Sequence, residues 1–130
     1  MIDSLHHVAV SVTDLERAKR FYGEILGLEE IERPAFDFPG AWYGIGDGQL
    51  HLIVHSSPRS LRGTTQVDSR DGHFAVRVRD YDQAVARLRA HGLTMKESPV
   101  NVTPWSQIYV TDPDGNVIEL NVERAGSRNP

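Results

Sequence analysis

The chain has 130 residues, a formal net charge of −4 and no cysteine. Its length fits one domain, and the lack of cysteine excludes disulfides, thiolate metal sites and cysteine nucleophiles. Because the charge is slightly acidic and no run of Lys or Arg exceeds two residues, we expect no nucleic-acid or membrane partner. The sequence has neither the apolar core of a signal peptide nor an apolar run of about 18 residues, so we expect a cytoplasmic protein.

The first predicted element is a strand over residues 7–12, in which valines alternate with other residues. The alternation places the valines on one face and His7 on the other. A helix should follow, because Thr13 stands three residues before Glu16, the spacing of a capping box. Gly27 should end this helix, since glycine readily takes the left-handed conformation at such a position.

Three more strands are predicted in the first half of the chain, at 28–36, 41–46 and 49–55. The sequence Gly-Asp-Gly between the last two is typical of a hairpin turn. Residues 57–71 are polar and rich in turn formers, and we interpret them as a linker. The first module therefore covers about 4–56.

The second half begins with a near copy of the first. The stretch DGHFAVRVRD, residues 71–80, matches LHHVAVSVTD, residues 5–14, at an offset of 66. Six of the twelve positions from 7 to 18 are identical to their counterparts. Such self-similarity predicts two copies of one supersecondary unit.

The rest of the second half follows the same order of elements. A helix is predicted from Asp80, a favourable N-cap, to Gly92. Strands are predicted at 93–98, 105–111 and 116–122, with Asp-Pro-Asp-Gly-Asn as the last turn. This module covers about 72–122. The order βαβββ, written twice, predicts an α+β fold of two repeated modules.

The polar faces of four predicted strands carry one metal-binding side chain each. The last strands of the two modules correspond at an offset of 68, so His51 matches Glu119, as His7 matches His73. Imidazoles and a carboxylate suit a divalent ion such as Zn, Ni, Mn, Co or Fe. We therefore predict one divalent metal ion held by His7, His51, His73 and Glu119. The alternative is a polar sheet face without a metal.

Four further side chains are candidates for contacting a substrate. Arg77 shares the strand face of His73, and His55 shares that of His51. Trp42 and Tyr109 lie on predicted strands, where packing in the core explains an aromatic residue equally well.

Four segments resemble the vicinal oxygen chelate superfamily, which includes glyoxalase I, extradiol dioxygenases, methylmalonyl-CoA epimerase and fosfomycin- and bleomycin-resistance proteins. They are HHVAVSVTDLERAKRFYGEILGL, GDGQLHL, GHFAVRVRDYDQAVARLRAHGL and YVTDPDGNVIEL. The resemblance implies a single glyoxalase-like domain over 1–130, whose paired modules form a curved sheet cleft around a divalent metal. It implies His7, His73 and Glu119 as ligands. Glyoxalase I has a Glu at the position of His51 and the epimerase a Gln, which weakens the match to glyoxalase I.

Three functions follow from the resemblance. The first is a metal-dependent lyase or isomerase of glyoxalase type, acting on a substrate chelated through adjacent oxygens, with Glu119 as ligand and candidate catalytic base. The second is an extradiol-type ring-cleaving dioxygenase; the end of its signature is present from Ile108 to Glu119, but residues 100–102 lack its histidine. The third is a non-catalytic drug- or metal-binding resistance protein. In each case we expect a small-molecule ligand and a homodimer.

Overall fold

The computed structural model describes residues 1–124, and the chain divides into two compact units. The first unit ends at Gly63 and the second begins at Thr64. Residues 55–72 contain no helix or strand. The assignment of the whole chain to one domain, with a linker at about 57–71, stays a prediction.

The first unit is a four-stranded mixed sheet with one helix. In chain order its elements are β1 (His7–Val12), α1 (Leu15–Lys19), β2 (Glu29–Ile31), β3 (Gly40–Ile45) and β4 (Gly48–Val54). Helix α1 continues as a π-helical segment, Arg20–Ile25. The strands lie in the order β1-β4-β3-β2, with β1 parallel to β4 and the other pairs antiparallel. Parallel strands cannot be joined by a tight turn, so the chain between β1 and β4 is long and contains the helix.

The second unit has the same topology. Its elements are β5 (His73–Arg77), α2 (Tyr81–Ala90), β6 (Lys96–Ser98), β7 (Trp105–Thr111) and β8 (Val117–Glu123), in the strand order β5-β8-β7-β6. The parallel register is also the same, since Ala9 lies opposite His51 and Ala75 lies opposite Glu119. The predicted α+β fold of two βαβββ modules is confirmed, and His51 and Glu119 occupy equivalent positions in their sheets.

Both helices begin at an aspartate and end at a glycine. The carboxylates of Asp14 and Asp80 each accept a hydrogen bond of 2.9 Å from the backbone N–H three residues later. The capping box predicted at Thr13 is therefore wrong, because the charged Asp14 side chain, one residue later, caps the helix N-terminus instead. Gly27 and Gly92 both have a φ of 75°, as predicted. Within residues 1–124, no helix has the length and apolar character needed to cross a membrane.

One edge strand of each sheet is shorter than predicted. The strand expected at 28–36 is β2, which ends at Ile31, because Pro34 and Pro39 in the following loop lack the N–H that pairing requires. The strand expected at 93–98 is β6, which begins only at Lys96. Leu93 takes part in the C-terminal cap of α2, since its N–H donates to the carbonyl of Leu88 at 3.1 Å.

Each sheet buries the face that carries its alternating apolar residues. The most deeply buried apolar residues of the first unit are Val12, Ala18, Phe21, Tyr22, Ala41, Tyr43, Leu50 and Leu52. On the corresponding face of the second unit, the most deeply buried residues are Ile108, Val110 and Ile118, and Leu88 of α2 is buried as well. Side chains alternate along a strand, so the candidate site residues of β4 and β8 project from the opposite faces.

Candidate metal centre

In the second unit, His73 and Glu119 come together. His73 is the first residue of β5, and Glu119 lies within the neighbouring strand β8. The Nε2 of His73 is 3.2 Å from Oε1 of Glu119. Only 5% of Glu119 is exposed, whereas 25% of the His73 side chain is. The pair therefore combines a buried carboxylate with an imidazole that a ligand can reach.

The other ring nitrogen of His73, Nδ1, is held by a hydrogen bond to the backbone. Nδ1 lies 2.7 Å from the backbone carbonyl oxygen of Asp71, and because a carbonyl only accepts, Nδ1 carries a hydrogen. Nε2 then offers the carboxylate either a proton or a lone pair. With a proton on Nε2, the two side chains form the hydrogen-bonded pair seen here. With a lone pair on Nε2, a cation between the two groups would take the place of that proton.

The distance itself fits a divalent metal. Two donors about 2.1 Å from one ion, at angles of about 90–109°, lie roughly 3.0–3.4 Å apart. The 3.2 Å between His73 and Glu119 falls in that range. A backbone carbonyl that holds the second ring nitrogen, as that of Asp71 does, is also the usual support of a metal-binding histidine.

The second oxygen of Glu119 is held by amide donors. Oε2 accepts hydrogen bonds from Nδ2 of Asn121 at 2.9 Å and from Nε2 of Gln107 at 3.3 Å. The hydroxyl of Tyr109 also donates to Glu119. Burial by itself would raise the pKa of this carboxyl, but the hydrogen bonds outweigh burial and hold the pKa below its usual value. Glu119 is therefore ionised, as a carboxylate ligand must be.

Tyr109 and Arg77, both predicted to contact a substrate, lie beside this pair. Tyr109 is directly opposite Glu119 in the β7–β8 register, and its ring meets the His73 ring edge to face at 5.5 Å. Burial and the bond to Glu119 raise the pKa of Tyr109 to about 12. Arg77 donates from Nε to Oδ1 of Asn121 at 2.6 Å. Its contact with Glu119 therefore runs through Asn121.

In the first unit, His7, His51 and Trp42 form a stack of rings. The His7 and His51 centroids are 4.0 Å apart with 17° between the planes, and those of His51 and Trp42 are 4.0 Å apart with 2°. Trp42 lies directly opposite His51 in the β3–β4 register. The structure thus brings together the two ligands that the sequence predicts for this unit.

The surroundings of His51 favour its neutral form. Burial lowers the pKa of the imidazole, and the neighbouring side chains of His7, His6 and Arg33 lower it further. Neutral imidazole is the form that binds a metal. The Nε2 of His51 lies 2.8 Å from Oε1 of Gln49, so binding through that nitrogen requires Gln49 to move.

An aromatic segment extends the stack beyond Trp42. The Phe36 ring lies 6.1 Å from that of Trp42, and Phe36 stacks on Phe38 at 5.2 Å. The guanidinium of Arg33 lies over both phenylalanine rings, at 4.9 and 5.0 Å. Phe36 is 46% exposed, so planar apolar surface is accessible close to His51.

His55 is placed differently from the other candidates. It lies one residue beyond β4 and is exposed. Its Nδ1 accepts a hydrogen bond of 2.8 Å from the backbone N–H of Ser57. The structure therefore shows His55 shaping a turn, and its contact with a substrate stays a prediction.

Each unit gathers two of the four predicted ligands. Among residues 1–124, no three His, Asp or Glu side chains form a group that could hold a metal ion. The four-residue ligand set stays a prediction, and the geometry that suits a metal is that of His73 with Glu119.

Three supporting residues were missed from the sequence. Gln49 lies beside His51, and Gln107 and Asn121 lie beside Glu119. A signal was available, since Gln49 and Asn121 stand two positions from His51 and Glu119 and so share their faces. Gln107 stands two positions before Tyr109 in the same way.

Two repeated βαβββ units, each with candidate metal ligands at matching strand positions, are typical of a glyoxalase-like protein. The model of the Glyoxalase/Bleomycin resistance protein/Dioxygenase superfamily matches residues 4–120. The chain belongs to this superfamily.

Several curated relatives carry glyoxalase names. The chain is 29% identical over 126 residues to Glyoxylase I 4 of Arabidopsis thaliana, an alignment that covers 92% of this chain and 70% of the relative. It is 27% identical over 129 residues to a lactoylglutathione lyase of Escherichia coli O157:H7, covering 95% and 96% of the two chains. It spans only 45% of the length of the Arabidopsis lactoylglutathione lyase GLX1.

The fold also matches solved structures. One is a mutant of the fosfomycin resistance protein FosX from Listeria monocytogenes, complexed with Mn(II) and 1S,2S-dihydroxypropylphosphonic acid. The TM-score is 0.76 at 23% identity, and 98% of both chains is covered. At that identity the likeness concerns the fold.

Proposed function

We propose that the protein is a metal-dependent enzyme of glyoxalase type, a lyase or isomerase whose small substrate is chelated through adjacent oxygens. One observation carries the proposal. Nε2 of His73 and Oε1 of Glu119 lie 3.2 Å apart, a separation that suits two ligands of one divalent ion. The names of the relatives support the reaction class, since several are called lactoylglutathione lyase.

His73 and Glu119 are the proposed ligands from the second unit, and His7 and His51 those from the first. Imidazole and carboxylate donors suit Zn, Ni, Mn, Co or Fe. The Mn(II) of the FosX complex is a member of this group. The carbonyl of Asp71 would keep the His73 ring oriented for its ligand role.

Glu119 is also the proposed catalytic base. A bound divalent ion would stabilise the negative charge that develops on the adjacent oxygens of the substrate. Glu119 would take a proton from the neighbouring carbon and return it. Because Asn121 and Gln107 hold Oε2, Oε1 is the oxygen available to the proton, which would take the place of the ion there until it is returned.

Calorimetric titration of the metal-free protein with Mn²⁺ or Zn²⁺ tests the ligand set. We expect Glu119→Gln and His73→Ala to weaken metal binding by more than about 100-fold, because loss of a ligand exceeds the roughly 10–100-fold cost of losing an outer partner. His91→Gln is the control, since His91 is the C-cap residue of α2, and it should keep the wild-type affinity. An unchanged affinity in Glu119→Gln would refute the proposal.

Turnover is tested with hemithioacetals of 2-oxoaldehydes and related α-hydroxycarbonyl compounds on the metal-loaded protein. We expect conversion that depends on the metal and is lost in Glu119→Gln. Tight metal binding without conversion of any compound would favour a binding protein instead.

A ring-cleaving dioxygenase is the second candidate, and the aromatic segment favours it. Trp42 stacks on His51, and exposed Phe36 continues that surface, so a planar aromatic substrate would find apolar contacts beside a proposed ligand. Oxygen consumption by the iron-loaded protein with a catechol, without conversion of hemithioacetals, would establish this function.

A further inference from the structure

Three side chains of the second unit, Arg77, Asn121 and Glu119, form a series linked by hydrogen bonds. Arg77 donates from Nε to Oδ1 of Asn121 at 2.6 Å, and Asn121 donates from Nδ2 to Oε2 of Glu119 at 2.9 Å. Asn121 and Glu119 are 9% and 5% exposed. The bond between Asn121 and Glu119 is therefore shielded from competing water, and the orientation of the Asn121 amide constrains the carboxylate.

The series makes the two oxygens of Glu119 unequal. Asn121 and Gln107 donate to Oε2, while Oε1 faces Nε2 of His73. A carboxylate without such donors could rotate and present either oxygen, or an intermediate angle, to His73. The amides on Oε2 fix the plane of the carboxylate and direct Oε1 to the proposed metal position.

Arg77 determines which end of the Asn121 amide faces Glu119. A guanidinium only donates, so its contact with Asn121 requires the amide oxygen on the Arg77 side. The NH₂ group is then on the Glu119 side, where it can donate. The reversed amide would place an oxygen against the carboxylate and an NH₂ group against the guanidinium, which is unfavourable at both ends.

Arg77 is itself held on two sides. Its Nη1 is 3.6 Å from a carboxylate oxygen of Glu123, and its guanidinium carbon is 5.9 Å from the centre of the Trp105 ring. The positive charge is thus balanced by Glu123 rather than by Glu119, which leaves Glu119 available for another cation. These contacts account for Arg77 without any contact to a substrate.

We propose that Asn121 and Arg77 are positioning residues, which orient Glu119 so that Oε1, and not Oε2, faces the proposed metal position. This inference rests on the proposed function and assigns Arg77 a different role from the substrate contact predicted from the sequence. Arg77 acts through Asn121, so its effect disappears when Asn121 is absent.

A double-mutant cycle on metal affinity tests the series. Titration of the metal-free protein with Mn²⁺ should show a loss of roughly 10–100-fold in Asn121→Leu and a loss at the lower end of that range in Arg77→Met. The double variant should match Asn121→Leu within about twofold, because independent effects would add and coupled ones do not. Arg89→Met is the matched control, since it removes an arginine paired with Glu97 on β6, and it should bind like wild type.

Crystal structures of the metal-free variants supply a second readout that needs no metal. Arg77 is half-exposed, with 51% of its side chain accessible, so Arg77→Met should fold even if the buried Asn121→Leu does not. We expect a rotated Glu119 carboxylate in Arg77→Met, with Oε1 no longer within hydrogen-bond distance of His73. An unmoved Glu119, or additive losses in the cycle, would overturn the positioning role.

The outcomes separate this inference from the proposed function. If Glu119→Gln weakens metal binding but Asn121→Leu and Arg77→Met bind like wild type, the positioning role is wrong and the proposed function stands. If Glu119→Gln binds like wild type, the proposed function is wrong, and the crystal structures still decide whether the series orients Glu119.

Discussion

His51 and Glu119 occupy equivalent positions in the two sheets, and each lies directly opposite an aromatic residue on the neighbouring strand. In the first unit this residue is Trp42, which stacks face to face on the imidazole at 4.0 Å. In the second it is Tyr109, which donates its hydroxyl hydrogen to the carboxylate. Burial and the neighbouring His7, His6 and Arg33 lower the pKa of His51 and favour its neutral form. Glu119 is instead kept anionic by hydrogen bonds, including that of Tyr109. The same backbone position therefore holds a neutral ring in one unit and an anion in the other.

The turns before the last strands of the two units should differ most in how much an alanine substitution lowers the unfolding free energy. Gly46 and Gly115 both have positive φ, 54° and 88°. A Cβ on Gly46 would meet open space, whereas one on Gly115 would collide with the backbone carbonyl of Thr64. Gly46→Ala should cost about 1–2 kcal/mol from backbone strain alone, and Gly115→Ala should cost more because the chain at Thr64 must also move.

Denaturant unfolding of the two alanine variants measures this difference. A larger loss of unfolding free energy in Gly115→Ala would show that the turn at Gly115 packs against Thr64, the first residue of the second unit. Equal losses in the two variants would contradict the packing of Thr64 on that turn.

A smaller effect is expected from the hydroxyl that distinguishes Tyr109 from Trp42. Tyr109→Phe removes a hydrogen bond to Glu119 and should lower the unfolding free energy by about 1 kcal/mol. It should also weaken Mn²⁺ binding about tenfold, because Tyr109 supports a proposed ligand. Calorimetric titration and denaturant unfolding measure the two quantities.

Tyr81→Phe is the matched control for Tyr109→Phe. Tyr81 donates to a carboxylate oxygen of Glu97 at 3.1 Å, and burial, together with that bond, raises its pKa to about 12, as for Tyr109. The variant therefore deletes the same type of bond away from Glu119, and its metal affinity should equal that of wild type. Equal weakening in both variants would show that the effect is not specific to Glu119.

The smallest expected difference is one of pH range in the metal-free protein. The pKa of His51 is lowered from 6.5, so the fold favours neutral imidazole; this contribution to stability is present above pH 6.5 and is lost as the pH falls below it. The pKa of Glu119 is lowered from 4.5, so its contribution is present above pH 4.5 and is lost only in more acidic solution. As the pH falls, the protein should thus lose first the contribution of His51 to stability and then that of Glu119.

Thermal unfolding from pH 8 to pH 3 separates the two ranges. His51→Gln should remove the loss that begins near pH 6.5, and Glu119→Gln should remove the one that begins near pH 4.5. If His51→Gln leaves the profile between pH 7 and pH 5 unchanged, burial and the neighbouring His7, His6 and Arg33 do not lower the pKa of His51.

The repeat, and the face of each strand on which a side chain lies, could be predicted from the sequence. Alternation with period two is set by strand geometry alone, so valines in β1 and apolar residues in β8 predicted their sheets correctly. Gly27 and Gly92 were equally predictable, because few other residues accept a φ of 75°. The same geometry placed His73 and Glu119 on the polar faces of their strands, whereas the four-residue ligand set stays a prediction.

Features that depend on distance in space were not predictable. The amides of Gln107 and Asn121 carry no charge and resemble ordinary surface residues until their contacts with Glu119 are seen. The cap at Asp14 rather than Thr13 was a choice between two good capping residues, which local geometry decides. The π-helical segment Arg20–Ile25 has no signature in apolar spacing, since it widens one turn only.

The ring stack at Trp42 has a spectroscopic consequence. The chain has two tryptophans, and each lies against a different candidate site residue, Trp42 against His51 and Trp105 against Arg77. A fluorescent indole in van der Waals contact with an imidazole changes its emission when that imidazole is protonated or drawn away. Trp105→Phe would leave Trp42 as a single optical probe of the first unit, and Trp42→Phe would leave Trp105 as one of the second. Each unit thus contains one tryptophan whose fluorescence can report on a candidate site residue of that unit.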